Sequence, residues 1–303
     1  MATSGGSVPF AIDGSSMSPV NEAVSGIGLS PLHEVLLIAA FLGLVLVGVA
    51  SVLSHLYDAE DRVEAEMREV VAERNAYRAF AEAIDSIPVV QPAGAVATPQ
   101  SIQTMETRAA PVDHVRRAFE ETVMAVDHYD DTYGETWETH LVNEFDADFL
   151  GGLREGSGVN RPMKRALQQR ALDAASRRDE LIQVLSTEQA AVEDATATLD
   201  EIETSLSSMD DGSLDERSFE ELMETYAALE TLEDRTVRLA RRRQRQIHNE
   251  TRCGRWDTSD LTLQEYLYGP LSMTYPVLHT TTRLTDDLGT ARHSVVETMT
   301  ARV

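Results

Sequence analysis

The chain of 303 residues carries 51 acidic against 26 basic side chains, a formal net charge of −25, and only Lys164 among the basic residues is a lysine. Its single cysteine excludes an intramolecular disulfide scaffold and a thiolate metal cluster, and aromatics at 6% leave little material for a large β core, so an all-α protein is expected. An acidic, lysine-poor surface suits concentrated salt, where the Debye length shrinks to about 3 Å at 1 M, so a halophilic source is expected too.

Residues 1–33 are rich in Gly, Ser and Pro without a sustained apolar period, which predicts a disordered extracellular tail. Between Glu34 and Asp58 the run VLLIAAFLGLVLVGVASVLSHLY has no formal charge. As a helix it measures about 34 Å, enough for a hydrocarbon core of about 30 Å, so residues 34–57 read as a transmembrane helix contacting lipid through 35–57. A cleaved signal peptide would need a basic segment ahead of a shorter apolar core, and residues 1–34 contain no Lys or Arg. Arg62, Arg68, Arg74 and Arg78 follow the run, so the cell-membrane orientation expected is single-pass, with the N-terminus outside and the C-terminal body cytoplasmic.

Positions 56, 60, 63, 67, 70, 74, 77, 81 and 84 form a mostly apolar stripe at spacings of 4 and 3, which predicts a juxtamembrane helix over 58–86 that continues the anchor. Pro88 should stop it, and 87–110 read as a linker. The rest, 111–303, reads as a helical bundle. Pro111 suits a helix start, and Tyr129, Tyr133, Trp137, Leu141, Phe145 and Phe149 are expected to pack a small helical core.

After Pro162 a stripe of about six heptads runs through Leu167, Ala171, Ala174, Leu181, Leu185, Val192, Ala195, Leu199, Ile202, Leu206 and Met209, broken only at Arg178 and Glu188. Gly212 is placed to end that helix, and Ser213 with Glu216 has capping-box spacing for the next. So short a turn predicts a long antiparallel coiled-coil hairpin over about 162–249. Asp260 is a candidate cap for the final segment, in which Leu278, Leu284, Leu288 and Val295 fit one more amphipathic helix.

ETVMAVDHYDDTYGE, the Arg- and Glu-rich hairpin and LQEYLYGPLSMTYPVL together resemble an uncharacterised family of haloarchaeal proteins, acidic, helical and often membrane-anchored. The resemblance covers most of 58–300. It implies location and fold, and brings no activity and no site residue.

Candidate chemistry is sparse. His128 among Asp127, Asp130 and Asp131, and His140 one turn from Glu144, supply pairs of ligands where a site needs three or four, so no metal and no cofactor are expected. GGLREGSG at 151–158 lacks the Lys-Ser/Thr of a P-loop and reads as a helix-ending loop. No catalytic motif stands out, and an enzyme is not expected. Residues 235–255 reverse the sign of the chain, with eight arginines against Glu250 alone. Arg235, Arg238, Arg241, Arg242, Arg243 and Arg245 are the candidate interaction patch. Their simplest role is pairing with acidic helix faces such as Glu220, Glu221 and Glu224; nucleic acid is not an expected partner, since phosphate contacts weaken steeply with salt. The function expected is a single-pass membrane-anchored scaffold or protein-interaction module whose heptad seams take a protein partner or a second copy. The alternative is a signal-transduction component relaying along the continuous helix.

Overall fold

The computed structural model describes residues 31–89, 111–155, 159–209, 214–252 and 261–302, with side chains described from Leu53 onward in the first span. Every regular element among them is helical, and no strand occurs. The predicted tail and linker fall almost wholly outside the described residues.

Four long helices make the bundle: α1 (Pro31–Ser86), α6 (Arg161–Met209), α7 (Phe219–Arg252) and α9 (Pro276–Thr300). Between α1 and α6 lie the short helices α2 (Pro111–Thr122), α3 (Tyr129–Thr132), α4 (Trp137–Phe145) and α5 (Ala147–Glu155); α8 (Leu263–Tyr268) precedes α9. α1 ends two residues before Pro88, as the constraint on pre-proline residues requires. Gly134, at φ 55°, takes the left-handed turn between α3 and α4.

Ion pairs and hydrogen bonds fix the directions. Tyr57 donates to Asp200 over 3.2 Å, Arg74 pairs with Asp179 over 3.2 Å and Lys164 with Asp85 over 3.5 Å, so α1 and α6 run antiparallel. Arg235 meets Glu201 at 2.6 Å and Arg242 meets Asp194 at 2.5 Å, which sets α7 antiparallel to α6. Arg292 reaches Glu233 at 3.0 Å, and Arg302 donates to the Leu214 carbonyl at 3.0 Å, which sets α9 antiparallel to α7.

The 162–249 hairpin exists, but its arms are not each other's main partners. α6 packs chiefly along α1, and α7 along α9. The seam of α6 meets a second seam on α1, so of the two fillings open to that stripe, the hairpin or another copy of the chain, the first arm of the hairpin supplies it: Leu56, Val63, Val70, Tyr77, Ala81 and Ile84 are all buried.

Two apolar cores share α1 and α6. One joins Leu53 to Val70 of α1 with Leu185 to Leu206 of α6, and with α7, α8 and α9. The other joins Tyr77 to Ile87 with α2, α4, α5 and Leu167 to Ala175. In the second, Trp137, Leu141 and Phe145 are buried as the aromatic cluster predicted.

Several boundaries move. Gly151 and Gly152 lie inside α5, not in a loop. Ser213 and Asp260 are outside the described residues; the capping pairs seen are Ser218 with Glu221 at the start of α7 and Thr262 with Glu265 at the start of α8. Among the described residues no helix is long and apolar enough to cross a membrane. Residues 31–52 are helical, with side chains outside the description, whereas Leu53 and Leu56, assigned to the transmembrane segment from sequence, are bundle core at 3% and 0% exposure. Their heptad phase belongs to the seam with α6, which is why the end of the apolar run is protein interior.

Candidate functional site

The six arginines of the predicted patch separate by helical phase. Arg243 turns inward, while Arg235, Arg238, Arg241, Arg242 and Arg245 line one open groove with Thr198 of α6 and Leu239, a concavity of about 660 Å³. Positions 235, 238, 242 and 245 share a face of α7 at spacings of 3 and 4, and the ten helical rises from 235 to 245 span about 15 Å. Three of the five have carboxylate partners: Arg235 with Glu201, Arg242 with Asp194, and Arg238 with Asp234 one turn earlier at 3.7 Å. Within the chain the carboxylates that answer these arginines are Glu201 and Asp194 on α6 and Asp234 on α7.

Arg243 and Glu188 form the first of two buried polar nodes. They pair in two-pronged fashion over 2.9 and 2.5 Å at 3% and 0% side-chain exposure, and Tyr268 donates to the same carboxylate at 2.6 Å. Nearby, Arg62 pairs with buried Glu66 at 2.9 Å, and Tyr266 donates to that carboxylate's other oxygen.

The second node lies between the two apolar cores. Arg178 bonds Glu73 at 3.0 Å and Glu144 at 2.8 and 3.2 Å, with its guanidinium 4.8 Å from the centre of the Tyr77 ring. Burial opposes charge on Arg178, but Tyr77, Glu144 and Glu73 outweigh it and raise its pKa. Burial likewise works against ionised Glu144, yet Arg178 and Arg177 hold its pKa below the usual value. Tyr133 donates to Glu73 at 2.8 Å, and His128 sits 3.3 Å from the same oxygen.

His140 is enclosed beside this clasp, its Nε2 2.9 Å from Tyr77 Oη and its Nδ1 3.0 Å from Tyr129 Oη. With the Tyr129 hydrogen turned to the Glu135 carbonyl at 3.4 Å, the consistent arrangement has the proton on Nδ1 and Nε2 accepting from Tyr77. Burial lowers the His140 pKa and raises those of both tyrosines, Tyr129 to about 12.

A family model described as a domain of unknown function, DUF7260, matches residues 54–292. The chain belongs to the DUF7260 family. No curated protein and no solved structure matches it.

The DUF7260 region holds both buried nodes and the whole groove, and begins just past the apolar stretch Val35–Leu53. The histidines and acids weighed as metal ligands do not converge: both ring nitrogens of His140 face tyrosine hydroxyls, and among the described residues no group of three or more His, Cys, Asp and Glu is placed to hold a metal. Sequence reasoning did not anticipate the nodes, although their signal was present. Arg178 and Glu188, the two breaks in the α6 stripe, are the residues around which the nodes form.

Proposed function

We propose that this DUF7260 protein is a membrane-anchored helical scaffold, a bundle held at a bilayer by the first part of α1. The observation that carries the reading is the unbroken helix Pro31–Ser86, which joins the charge-free run to the bundle core without a hinge. With Leu53 and Leu56 committed to the core and the Leu214–Glu216 turn also packed against α1, the stretch left for lipid lies ahead of these contacts and is shorter than Val35–Val52, so a bilayer of about 30 Å must thin to meet it. The buried polar groups support a structural role for the bundle: Glu188 is satisfied by Arg243 and Tyr268, and His140 by Tyr77 and Tyr129, so these groups hold helices together instead of facing an open pocket. Protein partners then meet exposed faces such as Phe219, Met223 and Leu172, because the seams are already occupied.

Fractionation tests the anchor. The full chain should sediment with membranes, resist carbonate washing and enter solution only with detergent, and Leu42→Arg with Leu46→Arg should release it, since each charge at mid-bilayer costs about 3 kcal/mol on an insertion scale. A full chain that carbonate removes, or that stays soluble without detergent, overturns the reading.

One observation favours a relay along α1 as a second reading: the same helix supplies Glu66 to one polar cluster and Glu73 and Tyr77 to the other. Inserting one alanine after Val52, which rotates the bundle part of α1 by about 100° relative to the anchor, should alter hydrogen exchange around His140 if the relay operates; unchanged exchange there removes it.

A further inference from the structure

We propose that the arginine groove between α6 and α7 binds a soluble oligophosphate. Five arginines line this one concavity, against three carboxylates that pair with them. Arg241 and Arg245 are exposed and make no ion pair among the described residues, so two positive charges face the groove unmatched in a protein of net charge −25. The existing pairs do not close the site. Glu201, Asp194 and Asp234 are 70%, 59% and 73% exposed, and ion pairs between such groups are worth only about 0–1 kcal/mol, so a phosphate chain offering bidentate oxygens displaces them readily.

The chemistry of the groove narrows the ligand. Among the described residues its lining holds no aromatic ring and no amide side chain, so it grips phosphates without reading a base. A short anion fits a positive strip of about 15 Å. An extended polyanion such as duplex nucleic acid runs beyond the strip onto an acidic surface, where it is repelled. The inference stands whether or not α1 is an anchor.

Isothermal titration of the detergent-solubilised full chain with sodium tripolyphosphate at about 0.1 M salt tests it. The expected result is one saturable site per chain whose affinity falls as salt rises. Arg241→Ala with Arg245→Ala should weaken binding at least tenfold with an unchanged melting temperature, since both side chains are exposed. Arg241→Lys with Arg245→Lys should fall between the two, because ammonium groups keep the charge and lose the bidentate fork. Absence of saturable heat, equal binding by the double alanine variant, or a duplex oligonucleotide or anionic vesicles displacing tripolyphosphate at equal phosphate concentration would each overturn the proposal.

Discussion

The side chains that deviate from the apolar pattern set the sharpest constraints on this bundle. Glu188 and Arg243 are almost fully enclosed, and each makes the other's burial tolerable. Arg243→Met should therefore destabilise the protein by about 3–5 kcal/mol, because it strands a buried carboxylate, while Arg243→Met combined with Glu188→Leu should recover most of that loss. Denaturant titration of the two variants decides it; equal destabilisation would mean that packing volume, not charge, governs the site. His140 makes a prediction in pH. Its folded pKa lies below the ordinary 6.5, so the unfolded chain takes up the proton first and stability falls as pH drops below about 6.5. Protonation would also cost Tyr77 its acceptor on Nε2. Glu144 is shifted below 4.5 and adds its own loss only in more acidic solution, so the window from pH 6.5 to 5 reports mainly on the histidine. The melting temperature should decline across that window in the native protein and stay flatter in His140→Gln.

At the level of elements, α6 can lie close along α1 because its inner face is small where the second core meets it: Ala171, Ala174 and Ala175 are at 0%, 0% and 2% exposure. Ala174→Leu adds volume to a filled interface and should cost about 1–3 kcal/mol, read as a lower denaturation midpoint without loss of helical circular dichroism; an unchanged midpoint would show that the two helices are free to spread. These long helices were legible from sequence because a sustained 4 and 3 spacing leaves a chain few other structures. Partner choice was not: the hairpin turn dictated that α6 and α7 be antiparallel, but which seam filled which depended on the complementary face of α1, a hundred residues away. Helix starts were misplaced for a local reason. Ser213 with Glu216 and Ser218 with Glu221 have the same capping spacing; Ser213 lies outside the described residues, and the bonds of Ser218 with Glu221 lead directly into Phe219 of α7. The candidate arginines were visible as a run, yet their division into one inward and five outward residues appears only when the face of α7 that meets Glu188 is known.

For the molecule as a whole, net charge is the dominant long-range term. A charge of −25 on a bundle this size repels itself, and the repulsion is strongest where acids outnumber the bases near them, as at exposed Glu220, Glu221 and Glu224 against Arg217 near the start of α7. The ion pairs that bind α1 to α6 and α6 to α7 pull the other way, and salt weakens both terms. Many of those pairs are exposed and contribute little, whereas the buried nodes at Arg178 and Arg243 are poorly screened, so the net effect of salt should be stabilising. Raising sodium chloride from about 0.1 to 2 M should then add roughly 2 kcal/mol, or about 4–8 °C in melting temperature for a chain of this length. Salt also strengthens apolar burial, which Glu220→Gln with Glu224→Gln separates from screening. If repulsion is the cause, the double variant melts higher than the native protein at low salt and matches it at high salt. A gap that persists at 2 M would assign the salt effect to hydration of apolar surface instead.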